Sequence, residues 1–161
     1  MKRISAIIMV LTAFLAVSCA VAQTPEEIAE TKELVSNALD NHEFTIEVDH
    51  IFPVKFAPRI STDGYKMTVK DGKVTAHLPF IGESHMSMYA NDDIGITMEE
   101  VPVDIVYAKI KKDDTLSFIA KAENGTYDVT VTIFNNGNAD ISCRSNNRSM
   151  MRYSGKLIKQ Q

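Results

Sequence analysis

From Phe44 onward the chain carries run after run in which apolar and polar residues alternate one by one, and this period of two constrains the fold more than any other feature. Phe44, Ile46 and Val48 alternate with Thr45, Glu47 and Asp49. Tyr65, Met67 and Val69 alternate with Lys66, Thr68 and Lys70, and Val74, Ala76 and Leu78 with Lys73, Thr75 and His77. Successive side chains of a strand point to opposite faces, so each run predicts a strand with one dry face and one wet face. Asp71-Gly72 joins two of these runs as a two-residue hairpin turn, both of whose positions require positive φ. Further strands are expected within residues 94–98, 103–110, 116–120, 127–133, 139–143 and 153–158, with Asn135-Asn136-Gly137-Asn138 as another turn.

About eight to ten strands linked by short polar turns imply antiparallel pairing of sequential neighbours. A sheet with one apolar face must curl on itself or fold over. The expected fold is therefore mainly β: a single antiparallel meander closed as a lipocalin-like barrel, with a two-sheet β-sandwich as the alternative. One amphipathic helix precedes it. Thr24 can cap, Pro25 suits the first helical position and Glu27 completes a capping box. Ile28, Leu34, Val35, Ala38 and Leu39 form the apolar stripe, ending near Asn41.

The first 23 residues have a different character. Lys2 and Arg3 precede an apolar run over residues 4–17, and Ala20-Val21-Ala22 offers the small-x-small pattern cut by signal peptidase. The reading is a signal peptide over residues 1–22 and one β domain over 23–161, in an exported protein of the periplasm or cell envelope. A second processing route is a lipoprotein signal with Cys19 as the lipidated residue, which would anchor the chain to the outer membrane. Only five residues would then separate the lipid from the helix. The apolar run is shorter than the about 20 residues that span a bilayer.

Cleavage after Ala22 removes two of the 17 basic side chains and none of the 21 acidic ones, moving the net charge from −4 to −6. An acidic product lacks the clustered Lys and Arg that bind nucleic acid or anionic lipid. Membrane contact would come only through a lipid on Cys19. Either processing route leaves Cys143 as the one free thiol, and its parity with Ala139 and Ile141 marks it as a small core residue.

Several segments resemble a known family. Ala76-His77-Leu78-Pro79-Phe80-Ile81-Gly82 is similar to the hydrophobic-Leu-Pro-aromatic-x-Gly signature of the DUF4251 family of exported Bacteroidetes proteins. Ile94-Gly95-Ile96 resembles its Gly-centred strand, and Asn136-Gly137-Asn138-Ala139, Ser145-Asn146-Asn147-Arg148 and Tyr153-Ser154-Gly155 resemble its closing hairpin. The resemblance covers residues 35–159. It implies export with ordinary or lipoprotein signals and no assigned activity, so no catalytic residue carries over. Ser84-His85-Met86-Ser87-Met88-Tyr89 departs from the polar and aromatic residues that relatives tend to have there. Among the matching residues, Pro79 ends a strand, Gly82 permits a close backbone approach, and Arg148 can clamp loops or hold an anion.

Recognisable catalytic signatures are missing: no Gly-x-Ser-x-Gly, His-Glu-x-x-His, phosphate loop or Cys-x-x-Cys occurs. His85, Met86 and Met88 suggest soft ligands for copper(I), joined by Met98, Met150 or Met151, but strand parity separates the histidine from the methionines. His42, Glu47, Asp49 and His50 suggest zinc, with His50 again of opposite parity. Methionines at strand spacing are more often core filler. Asp92-Asp93, Glu99-Glu100 and Asp113-Asp114 read as solvated turns. Asp114-Thr115-Leu116 resembles a Bacteroidetes O-glycosylation acceptor, with Thr115 exposed at a turn. No catalytic residue, metal or cofactor is implied.

Three roles follow. The first is a non-enzymatic β domain binding a small apolar ligand or an envelope protein, its wall formed by Tyr65, Met67, Phe80, Phe118, Tyr127 and Val129 with Met86 and Met88 at the rim. The second is a structural or protein-interaction module using an edge strand or the helix, marked by an apolar patch without a cavity. The third is a hydrolase with a site built from loops.

Overall fold

The computed structural model describes residues 24–82, 95–111 and 113–160. Among these residues one helix and ten strands follow in chain order: α1 (Pro25–Asp40), β1 (Phe44–Pro53), β2 (Arg59–Ile60), β3 (Lys66–Lys70), β4 (Lys73–Leu78), β5 (Ile96–Pro102), β6 (Val106–Ile110), β7 (Asp113–Ala122), β8 (Gly125–Ile133), β9 (Asn138–Ser145) and β10 (Met151–Ile158). The expected mainly β fold is present as one antiparallel sheet in the order β5-β4-β3-β1-β10-β9-β8-β7-β6, with β2 on the side of β1.

The sheet curls into a half-barrel. First and last strands lie side by side at its centre, with Ile46 opposite Leu157 and Ile51 opposite Tyr153. The two outer strands are β5 and β6, neighbours in sequence that form no ladder with each other. β5 instead comes against β7, so β6 continues past the seam.

Alternation works as the sequence predicts wherever the ladders are regular. Tyr127, Val129, Val131 and Ile133 on β8 are buried, and the polar residues between them are not. Asp71 and Gly72 take φ of 51° and 68°, and Gly137 takes 78°. The concave face is packed by Ile46, Met67, Leu78, Met98, Leu116, Ile141 and Met151, all nearly fully buried. Each such side chain contributes roughly 1.5–3 kcal/mol of transfer free energy.

One irregularity decides the outer face. The register of β1 against β10 shifts between Val48 and His50, so inward residues change from even numbers (Ile46, Val48) to odd (Ile51, Pro53). A β-bulge of this kind turns the chain and re-aims the side chains beside it.

Helix α1 sits over one end of the half-barrel, against β1 and β10. The Thr24 amide donates to Glu27 Oε2 at 2.8 Å and the Glu27 amide to Thr24 Oγ1 at 3.2 Å, completing the capping box. Val35 and Ala38 are buried, with Leu34 and Leu39 packed beside them. Ile28, expected in the same stripe, is 41% exposed because the helix touches the sheet only with its later turns. Thr31 lies so close to the β8–β9 turn that a Cβ on Gly137 would fall 2.8 Å from its Cγ2.

Candidate functional site

The residues expected to line a ligand wall are core residues. Met67, Phe80, Phe118, Tyr127 and Val129 have exposures of 0–9% and belong to one continuous buried cluster. Tyr65 packs at the margin of that cluster: half-buried, its ring 5.9 Å from that of His77, it edges an open groove of about 490 Å3 with Lys66, Thr68, Thr75 and Thr97. Met86 and Met88 lie outside the described residues, as do His85, Asp92-Asp93, Cys19 and the whole signal segment.

The end of the half-barrel opposite the helix is held by polar contacts. Arg148 donates from Nη1 to the Gly95 carbonyl at 2.9 Å, and its guanidinium carbon stands 5.4 Å from the Phe80 ring centroid. Asn124 donates to the same carbonyl at 3.2 Å and accepts from the Tyr127 hydroxyl at 3.1 Å. Tyr153 donates to the Pro79 carbonyl at 2.8 Å. A Cβ on Gly82 would meet the Ser149 side chain at 2.9 Å and the Phe80 ring at 3.0 Å. These residues of the Leu-Pro-Phe and Ser-Asn-Asn-Arg segments join β4, β5 and β10 across one end of the core.

The bulge in β1 brings together groups that strand parity had separated. His50 Nδ1 and Asp49 Oδ1 are 2.8 Å apart, and Ser154 on β10 donates to the same carboxylate oxygen at 3.3 Å. Asp140 faces Ser154 from β9, its carboxyl raised by partial desolvation against the lowering effect of Arg152. The carboxylate, not the imidazole, is the hub of this set. Among the described residues no hydrogen bond joins His50 to Ser154, so the arrangement lacks the serine-to-imidazole contact that activates a nucleophile. No group of three His, Cys, Asp or Glu among the described residues is placed to hold a metal ion, so His42, Glu47, Asp49 and His50 do not form the zinc set considered above. Met98 and Met151 are core residues.

The Asp113-Asp114 pair also departs from expectation. β7 begins at Asp113, so Asp114 is a strand residue and only 7% exposed. Its Oδ1 accepts from the Tyr107 hydroxyl at 2.6 Å and from Lys109 Nζ at 3.1 Å. The Tyr107 phenol, and then Lys109, hold the Asp114 carboxyl below its ordinary value, while Asp114 raises both partners. Tyr107 and Lys109 share parity on β6, a signal present in the sequence but hidden while Asp114 was read as a turn. Thr115 requires the same correction. It is 6% exposed, set between Ala108 and Thr132 in neighbouring strands rather than displayed at a turn.

A groove of about 600 Å3 runs between α1 and the end of β10, lined by Glu30, Glu33, Asp40, Glu43 and Leu34. Lys159 crosses it to Glu30 at 2.6 Å. Large apolar side chains are exposed in two other places. Val54, Phe56 and Ile60 surround the β1–β2 connection, and Val106, Tyr107 and Ile110 occupy β6 with Ile119 nearby on β7.

Comparison with known proteins agrees with this geometry. The family model DUF4251, described as a domain of unknown function, matches residues 26–157. The crystal structure of a DUF4251 family protein from Bacteroides eggerthii DSM 20697 is similar in fold, with a TM-score of 0.60 at 20% identity over 81% of this chain and 88% of that one. No curated protein matches the chain.

Proposed function

Since the chain belongs to the DUF4251 family, whose description assigns no activity, we propose a role from its geometry: an exported β domain of the cell envelope that binds a partner protein through its surface. The observation that carries this reading is the contrast between interior and exterior. Aromatic, methionine and valine side chains suited to a ligand wall pack against one another inside the half-barrel, whereas Val54, Phe56 and Ile60 stand at least half exposed on one connection. Apolar side chains grouped on a surface favour contact with another macromolecule. Lys55 and Arg59 lie among them in sequence, a combination suited to a partner that is both apolar and acidic.

Export rests on the basic start, the apolar run and the Ala-Val-Ala cleavage pattern. Intact-mass analysis of protein from its own host distinguishes a chain starting at Gln23 from one lipidated at Cys19. A chain retaining residues 1–22 would overturn export by cleavage.

Native mass spectrometry of the same preparation tests the binding mode. The expected result is the mature mass without a small-molecule adduct, together with cross-links from residues 54–60 to an envelope protein. These cross-links are lost in Phe56→Ser while the thermal midpoint stays unchanged. A reproducible adduct of molecular size, released on denaturation, would instead establish a ligand-binding domain.

A further inference from the structure

The two edges of the sheet differ in a way that bears on assembly. An unpaired edge strand is a template for another chain, and natural sheets blunt such edges with proline, bulges or charge. β5 carries these devices. It ends in Pro102, its register against β4 shifts between Val74 and Ala76, and Glu100 within the irregular stretch takes a φ of 46°. It is also covered by β7.

β6 has neither a proline nor a bulge. All five of its residues are exposed, it pairs with β7 in unbroken register, and no strand among the described residues pairs with its other side. Its one charge, Lys109, is held by Asp114.

The order of side chains on this edge is self-complementary. An antiparallel copy centred on Ala108 sets Val106 opposite Ile110, Ala108 opposite its twin, and Tyr107 opposite Lys109. Val106, Ala108 and Ile110 share one face, so the two copies would join their exposed apolar rows into one strip. On the other face Tyr107 and Lys109 of each copy are held by that copy's own Asp114 on β7. Asp114 already balances each lysine and fixes each tyrosine, so the two ammonium groups do not oppose association and little side-chain freedom is lost.

We propose that β6 pairs antiparallel with β6 of a second copy of this chain, about a two-fold axis passing between the two Ala108 residues, to give a continuous sheet across a homodimer. A two-fold contact uses the same patch on both subunits, as this strand permits. With five residues on each side the interface is small, on the order of 1,000 Å2, and its affinity correspondingly modest. The inference goes beyond the partner reading above and uses a different surface, so either can fail alone.

Sedimentation equilibrium of the full mature chain, from low micromolar to near-millimolar concentration, tests it with two charge variants. The parent chain is expected to pass from monomer to dimer. Val106→Glu and Ile110→Lys are each expected to remain monomeric with unchanged thermal midpoints, since both positions are more than half exposed. An equimolar mixture of the two should regain the dimer, because the new carboxylate at 106 and the new ammonium at 110 meet once in each mixed pair. Ala108→Cys supplies a test independent of the charge variants: a short bis-maleimide, long enough for facing Cβ atoms about 4.5–5.5 Å apart, should link two chains through position 108. A parent chain monomeric throughout, a dimer that both charge variants leave intact, or no cross-link from Ala108→Cys would overturn the proposal.

Discussion

Gly155 on β10 faces the bulge of β1 so closely that a Cβ on it would fall 2.1 Å from the Glu47 carbonyl oxygen. The contact is with backbone on a central strand pair, so no side-chain rotation can relieve it. Gly155→Ala is expected to destabilise the domain by about 3 kcal/mol, the upper part of the usual range for overpacking. Denaturant unfolding of the variant measures this directly. A loss below about 1 kcal/mol would mean that the two strands separate freely at the bulge.

Tyr153 ties the middle of the sheet to the Leu-Pro-Phe segment through its bond to the Pro79 carbonyl. Tyr153→Phe keeps the buried ring and removes only the hydroxyl. The expected cost is about 1–2 kcal/mol, because the carbonyl loses its donor inside a partly dry site. Faster amide exchange around residues 78–82, with little change elsewhere, would locate the effect.

Cys143 is buried on the concave face, and burial pushes its thiol up to about 12. In a Cys19→Ser background it is the only thiol in the chain. Native protein at neutral pH is expected to react with a thiol-specific reagent only as fast as the sheet opens. Adding denaturant should release full reactivity. Rapid labelling of the folded protein would refute the buried placement.

Asp114 links acidity to the edge strand. Its carboxyl is held below the ordinary 3.8 by the Tyr107 hydroxyl and the Lys109 ammonium. A carboxyl lowered in the folded state stabilises the fold fully above its unfolded value, and that contribution is lost as pH falls through the folded value. The parent chain is therefore expected to lose stability on acidification below 3.8 more steeply than Asp114→Asn. Thermal midpoints of the two proteins across the acid range make the comparison, and parallel curves would show that this contact contributes nothing to folding.

Val129 separates packing from recognition. It is fully buried in the middle of β8, opposite Phe118 and Cys143. Val129→Arg places an unpaired charge in the core and is expected to cost at least about 3 kcal/mol, lowering the thermal midpoint by 10 °C or more. Loss of binding with an unchanged midpoint would instead make this position part of a ligand cavity.

The periodic signal carried much of the fold. Residues of β8 read correctly one by one because that ladder has no insertion, and the hairpin turns read correctly because Asp71-Gly72 and Asn136-Gly137 supply backbone freedom where it is used. Parity failed at Asp49 and His50 because a bulge adds one residue, and its trace lies on the partner strand, as a glycine at 155. The inward direction of Met67, Phe118 and Tyr127 was legible, but not the consequence: whether inward side chains line a cavity or meet each other depends on curvature. Asp114 and Thr115 were misplaced by a turn boundary only a residue or two in error, since a paired acidic dipeptide suits a turn and a strand start alike. The edge status of β6 had no local signature, because it follows from the seam between two strands that are neighbours in sequence.

The pairing of β1 with β10 sets a condition on when this molecule can fold. The sheet is two meanders, β3-β4-β5 and β6 to β10, and β1 bridges them only by taking a partner from residues 151–158. Until residues 151–158 are available, the earlier strands have hairpin neighbours but no completed core, and each hairpin alone is marginal in water. Folding therefore waits on a contact between segments about a hundred residues apart, a high-contact-order step that is intrinsically slow. For the export proposed above that delay is an advantage, since the chain remains threadable until residues 151–158 are available to pair.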